Sequence, residues 1–423
     1  MIRTHMPGEG VFVSNKCVFL IIDGLGDLPV PELNGRTPLE AACTPVLDRL
    51  AGAGRYGLVD PTAPGAAPHT HSGCGTLMGL APEQSDQLKR GPVEAAGAGR
   101  VLANGDVAVR ANFASVVRQN GELLVTDRRA GRVTRGTDEL AASLSGIDLG
   151  DGITADMVST DQHRGVLILK GPGLDASISD TDPGDTGRPA AVKPCRALNS
   201  GAEFTADKIN VFLYEAHRLL AGHPVNEDLA RAGKPLATGV ITRGAGLQFE
   251  VDNILHARGI RAAVVSGCNT VLGLARLFRF ETITDTRFTA TVETDIDAKF
   301  AAAAAALGDH DLVFVHVKAP DICSHDRHPR AKRDFLQRLD SALERLLASG
   351  AIFAVAADHT TDSNTGSHTA DPVPGLIFDP RSAGAVEPVK FGESGCRQGT
   401  MPRQSSHDFL TRVLDMMAGR PPG

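Results

Sequence analysis

The chain has no tryptophan and only two tyrosines among 423 residues, so it lacks the aromatic platforms on which single-stranded nucleic acid stacks. It has no Lys/Arg run, and its formal net charge is −7, so no basic face is offered to a phosphate backbone. No stretch reaches about 18 consecutive apolar residues, which argues against a membrane span. The opening "MIRTHMPGEG" has no apolar core of the kind a secretory signal needs. The seven cysteines are scattered without a CxxC pair, the pattern of reduced thiols in a cytoplasm. Neither nucleic acid nor membrane is expected as a partner, and nothing in the sequence sets the oligomeric state. A small anionic substrate fits, because a local arginine cluster can override a weak global charge.

What is present is a set of short apolar runs that end on acids. "CVFLIIDG" (17–24), "DLVFVHVKAPD" (311–321) and "AIFAVAADH" (351–359) each read as a buried parallel strand with an acid at or just beyond its C-terminal end. Helical stretches lie between them: an amphipathic one over 38–53, an alanine-rich one over 295–307 and a charged, leucine-spaced one over 332–348. In open α/β sheets, ligands sit at the carboxyl ends of the strands. The length suggests two domains. Between about 91 and 237 the pattern changes to many glycines, short alternating strands such as "VAVRANFASVV" and "GVLILKG", and arginine-bearing turns. The expectation is a doubly wound α/β core over 15–90 and 238–423, interrupted by an inserted α+β domain over 91–237.

The strand ends collect Asp23, Asp321 with His325 in D-x-x-x-H spacing, Asp358 with His359, and then His368. Mixed Asp/His sets suit Zn²⁺ or Mn²⁺, and two such ions about 4 Å apart clamp both the attacking and the leaving oxygen of a phosphoryl transfer. Taken singly, these residues have plainer explanations: D-x-x-x-H is common on helix surfaces, and an Asp after a strand often caps a helix.

In order along the chain stand "IIDGLGD", "RTPLEAACTPVLDRLA", "RGPVEAAGAG", "GDVAVRANFASV", "DRRAGR", "SDTDP", "HPVN", "RGAG", "HVKAPDICSHD", "ADHTTD" and "SHTADPVP". With these the chain resembles the archaeal-type cofactor-independent phosphoglycerate mutases of the alkaline phosphatase superfamily, from about Val18 to Met416. The resemblance implies an alkaline-phosphatase-like core with two divalent ions (Mn²⁺ or Zn²⁺, with Mg²⁺ and Co²⁺ as further candidates) and no bisphosphoglycerate. One ion would be held by Asp321, His325 and His368, the other by Asp23, Asp358, His359 and the nucleophile. The implied substrate is a small phosphorylated carboxylate, gripped by the insert.

The sequence departs from the family at "PHTHSGCGTLMG" (68–79). The family usually reads Pro-Gly-Ser-Asp-Thr-Ala-His here, and its serine is the nucleophile. An ungapped placement puts Thr70 on that serine, Ser72 on the threonine, His71 on the aspartate and Cys74 on the histidine. A two-residue slip with compensating gaps would restore Ser72, so both hydroxyls stay in play, with Thr70 favoured. The changed positions leave open a diverged mutase or hydrolase acting on a phosphonate or another phosphorylated carboxylate. Arginine forks hold carboxylate and phosphate bidentately. The candidates are Arg90, Arg110, Arg128, Arg129, Arg132, Arg164 and Arg243, with Lys318 beside them; Arg243 and the "DRRAGR" group come first because each is expected in a glycine-containing turn.

Overall fold

A computed structural model describes residues 15–420 except 63, 64, 66, 185, 249, 250, 252 and 383. The chain divides into two compact units, 1–85 with 251–423, and 86–250.

The first unit is built on an eight-stranded sheet, in the order Glu281–Ile283, Ala262–Val265, Leu312–Val317, Cys17–Ile22, Ile352–Ala356, Val373–Phe378, Arg55–Asp60, Gln404–Ser405. The first five strands run parallel, and Val373–Phe378 runs antiparallel to both of its neighbours. Cys17–Ile22 is at most 1% exposed at every position, so both faces of the sheet must be covered. The helices fall into two packing groups. Pro329–Leu347 packs with Ile296–Ala306, Ala319–His325, Pro38–Ala41 and Pro45–Ala53, whereas Thr70–Leu77 packs with Asn269–Leu277 and Ser406–Met417. Register sets the rest: Ile22 lies opposite Val317, and Ile21 opposite Ala356. The next residues, Asp23, Lys318 and Asp358, therefore emerge together at the carboxyl edge of three adjacent strands.

One expected helix is two. The stretch 38–53 breaks at Ala42, which is extended at ψ 145°, before Pro45 opens the second helix. A proline restricts the residue before it and favours the first helical position.

The second unit holds an antiparallel sheet around the long strand Val107–Gln119, flanked by Arg164–Lys170 and Gly239–Gly246. Val107, Val109, Ala111 and Phe113 face a core shared with Glu203–Ala221, while Ala108 lies under Arg90–Gly97. The strand Gly239–Gly246, expected in the first unit, belongs here because its backbone pairs with Val107–Gln119. All seven cysteines are free. Among the described residues, no helix is long and apolar enough to cross a membrane.

Candidate active site

At the carboxyl edge of the first unit's sheet, three side chains face one another. His325 Nε2 and His368 Nε2 are 3.2 Å apart, and Asp321 Oδ1 lies 3.5 Å from the first and 3.4 Å from the second. Three ligands at 2.0–2.1 Å from a tetrahedral Zn²⁺ would be spaced by about 3.3 Å, so the triangle has the dimensions of a ligand face. Asp321 and His325 share one side of Ala319–His325 at i,i+4, and His368 comes from the short strand Ser367–Thr369. Their far nitrogens are tied down: His325 Nδ1 meets Gly366 O at 2.7 Å, and His368 Nδ1 meets Pro68 O at 2.8 Å. Such contacts fix the ring orientation and the tautomer.

A second group adjoins it. His359 Nε2 lies 3.1 Å from Asp358 Oδ2, 3.4 Å from Asp23 Oδ1 and 3.4 Å from Thr70 Oγ1. Asp23, Asp358 and His359 are fully buried. Ligand atoms of Asp23, Asp321 and His359 also lie within 4.8 Å of one another, so Asp321 borders both groups. Lys318 Nζ sits among these groups, 2.9 Å from both Asp23 oxygens, 2.9 Å from Thr70 Oγ1 and 2.7 Å from Asp321 Oδ2. Burial opposes the charge on Lys318, but Asp23 and Asp321 outweigh it and hold the amine well above its usual range. Asp321 is likewise held low: burial works against its charge, and Lys318, His368, His325 and His359 overcome it.

The donor set fits divalent ions. Among the described residues, Oδ2 of Asp358 and Oδ2 of Asp321 are buried without a well-formed hydrogen bond; their near neighbours are His359 Nε2 at 3.1 Å and the Lys318 ammonium at 2.7 Å. Buried carboxylate oxygens of this kind are costly unless a cation is near.

The two candidate hydroxyls point apart. Thr70 is the first residue of Thr70–Leu77, so Ser72 is rotated by about 200° around the helix axis. Ser72 Oγ is used locally, accepting from His69 N and donating to His69 O, both at 3.0 Å. Thr70 is 6% exposed and faces Lys318 and His359. Gly73 lets this helix approach, since a Cβ there would stand 1.9 Å from Asp358 O.

The arginines lie in the second unit. Arg110 and Arg243 are direct cross-strand partners, and Arg164 lies opposite Asn112. Arg243 is in a strand, not in the expected turn, with the left-handed Gly244 next to it. Burial, then the neighbouring Arg90, push its guanidinium down to about 10. Arg128 is clamped by Asp182 through two bonds of 2.7 and 2.6 Å. Arg90 and Arg110 share Glu94, each at 3.4 Å. Arg129 and Arg132 are exposed. The Nε atoms of Arg110, Arg164 and Arg243 are buried and donate to no acceptor among the described residues. Cations outnumber acids here, and His163 records it: burial, then Arg164, Arg129, Arg132 and Arg243, depress it to about 3.

Several residues at these sites escaped the sequence reading. His316 Nε2 contacts Asp23 Oδ2 at 2.9 Å. Thr361 Oγ1 donates to Asp321 Oδ1 at 2.8 Å and meets His359 Nδ1 at 3.0 Å. The one available signal was spacing: His316 and Lys318 are two apart on an apolar strand, and so point the same way.

Comparison with known proteins gives the family of the chain. Residues 51–226 match the family model described as 2,3-bisphosphoglycerate-independent phosphoglycerate mutase. The enzyme of that name from Methanopyrus kandleri is 38% identical over 414 residues, 96% of this chain and 97% of its own. That from Ignicoccus hospitalis is 38% identical over 407 residues, covering 95% and 97%. Among solved structures, a Pyrococcus horikoshii protein superposes with a TM-score of 0.77 at 28% identity, over 97% of this chain and 98% of its own. The cofactor-independent phosphoglycerate mutase of Thermoplasma acidophilum does so with 0.62 at 30%, over 96% and 100%. With nearly the whole length matched in both sequence and fold, the chain belongs to the 2,3-bisphosphoglycerate-independent phosphoglycerate mutases.

Proposed function

We propose that this mutase interconverts 3-phosphoglycerate and 2-phosphoglycerate through a phosphoenzyme on Thr70. The observation that carries the reading is the placement of Thr70 Oγ1, 2.9 Å from Lys318 Nζ and 3.4 Å from His359 Nε2, with Ser72 bonded elsewhere. Asp321, His325 and His368 would hold one divalent ion, and Asp23, Asp358, His359 and Thr70 a second. When bound, such ions supply positive charge at the phosphoryl oxygens and favour a deprotonated hydroxyl.

The chain's own groups do the remainder. Lys318 stabilises negative charge on Thr70 Oγ1, which is otherwise a weak nucleophile near neutral pH. Thr70 begins a helix, so the first backbone N–H groups point toward phosphoryl oxygens as they would toward any anion. Thr70 Oγ1 bonds to phosphorus as the substrate oxygen leaves; the phosphoryl group then returns to the glycerate's other hydroxyl, and Thr70 is regenerated. Within the second unit, Arg243 and Arg164 carry the forks suited to a carboxylate or a phosphate, because their buried Nε atoms have no acceptor among the described residues.

The test follows 3-phosphoglycerate with Mn²⁺ by ³¹P NMR, with mass spectrometry of the trapped phosphoenzyme. The expected result is the 2-phospho isomer without added bisphosphoglycerate, and phosphate on Thr70. Inorganic phosphate without isomer would replace the mutase with a hydrolase, and a label on Ser72 would move the nucleophile.

A further inference from the structure

One layer behind the candidate metal ligands lies a second charged cluster that the chemistry above does not use. Lys332, on the helix Pro329–Leu347, and Asp27 form an ion pair of 2.7 Å whose side chains are both 0% exposed. Few lysines are buried so completely, and such a pair is weak evidence for stability, since its desolvation cost rivals its attraction. Its connections show what it joins. Lys332 Nζ also donates to Gly26 O at 3.1 Å and to Thr361 O at 3.5 Å. Asp27 Oδ1 accepts from Ser363 N at 2.9 Å, and Asp27 Oδ2 from Ser363 Oγ at 2.6 Å. Ser363 Oγ reaches Ser324 Oγ at 3.1 Å, and Glu393 Oε1 accepts from Asp27 N at 3.0 Å.

Three chain segments therefore meet on one buried charge pair: 23–27, 321–325 and 359–363. Each carries candidate ligands: Asp23 in the first, Asp321 and His325 on either side of Ser324 in the second, and His359 in the third. Thr361 closes the circuit, because its carbonyl faces Lys332 while its hydroxyl holds Asp321 Oδ1 and His359 Nδ1. A hydrophobic pair could fill the same space, but it could not hold these backbone and hydroxyl groups in one geometry.

We infer that Asp27 and Lys332 are positioning residues for the metal centre: the internal ammonium ion pre-assembles the ligand segments before any divalent ion arrives. The inference rests on the two-ion reading and deepens it. Partners bonded directly to metal ligands typically change metal affinity 10- to 100-fold; Asp27 and Lys332 act one bond further back, through Thr361 and Ser363.

The experiment is Mn²⁺ titration of the full-length protein, with free Mn²⁺ read by electron paramagnetic resonance and the visible spectrum of the Co²⁺ form as a geometric signature. Lys332→Met leaves Asp27 still bonded to Ser363, and the double variant Asp27→Asn/Lys332→Met strands no charge. Ser363→Ala removes only a hydroxyl and carries the same test if the charged-pair variants do not fold. Folded variants, judged by a cooperative thermal transition, should bind Mn²⁺ more weakly, by up to about tenfold, with a shifted Co²⁺ spectrum. Wild-type Mn²⁺ affinity and Co²⁺ spectrum in a folded variant would overturn the inference. Failure of the wild-type protein itself to bind Mn²⁺ would instead overturn the two-ion reading.

Discussion

Gly73→Ala isolates the closeness on which the nucleophile's placement depends. The new Cβ would lie 1.9 Å from Asp358 O and 2.7 Å from Asp358 C. Both are backbone atoms of a residue at the sheet's edge, so neither can rotate away. Restoring an ordinary contact requires the helix Thr70–Leu77 to retreat by about 1.5 Å, and Thr70, three residues earlier, moves with it. A misplacement of that size costs on the order of 100-fold in rate, about 2.7 kcal/mol of barrier. Alanine is a better helix former than glycine by about 1 kcal/mol, so the helix itself is not weakened. The assay is kcat/KM for 3-phosphoglycerate, coupled to consumption of 2-phosphoglycerate, with thermal unfolding as the control. A folded Gly73→Ala enzyme within threefold of wild type would show that the approach of this helix to Asp358 does not set the position of Thr70.

Further expectations follow from the same geometry. Thr70→Ala should abolish both turnover and phosphoenzyme, whereas Ser72→Ala should cost about tenfold, roughly 1.4 kcal/mol; full activity in Thr70→Ala would refute the assignment. Asp321→Ala or His368→Ala should each lower bound metal toward one ion per chain, as should Asp358→Ala or His359→Ala, and two ions in all four variants by elemental analysis would show the ligands to be wrong. Arg243→Lys should reduce kcat/KM severely with metal content unchanged, because a point charge does not replace a fork; an unaltered kcat/KM places Arg243 outside substrate contact. Burial pushes Glu393 up to about 7, so the folded protein binds this proton more tightly than the unfolded chain, and the resulting stability is lost as pH rises from the ordinary carboxylate range through about 7. Glu393→Gln should therefore melt close to wild type near pH 5 and above it at pH 8, and a melting difference that does not change with pH would contradict this.

The strand-end acids were legible because a strand buried on both faces reads as an unbroken apolar run, so the first polar residue after it marks the sheet's edge. Asp321 and His325 were legible as an i,i+4 pair once the intervening residues were taken as helical. The choice between Thr70 and Ser72 needed the helix start, which an unusual run of small polar residues does not announce. The break at Ala42 did have a local signal in Pro45, outweighed by the periodicity around it. His316, Thr361, Asp27 and Lys332 offered almost none. Their partners lie far away in sequence, 293 residues in the case of His316 and Asp23 and 305 for Lys332 and Asp27, and a single polar residue in an apolar pattern does not name its partner.

The strand order carries a consequence for biosynthesis. Cys17–Ile22 lies between two strands that begin at Leu312 and Ile352, and Arg55–Asp60 between two that begin at Val373 and Gln404. The two early strands are not neighbours, so among the described residues of 15–85 neither strand has a sheet partner from its own stretch of chain. Residues 86–250 are contiguous and contain every strand of their own sheet. The middle of the polypeptide can thus be finished while the early strands still wait, exposing apolar runs such as "CVFLII" until Leu312–Val317 has been translated. Long-range parallel pairing of this sort is slow and aggregation-exposed. The nascent N-terminal segment is therefore the part of this enzyme most dependent on protection by chaperones.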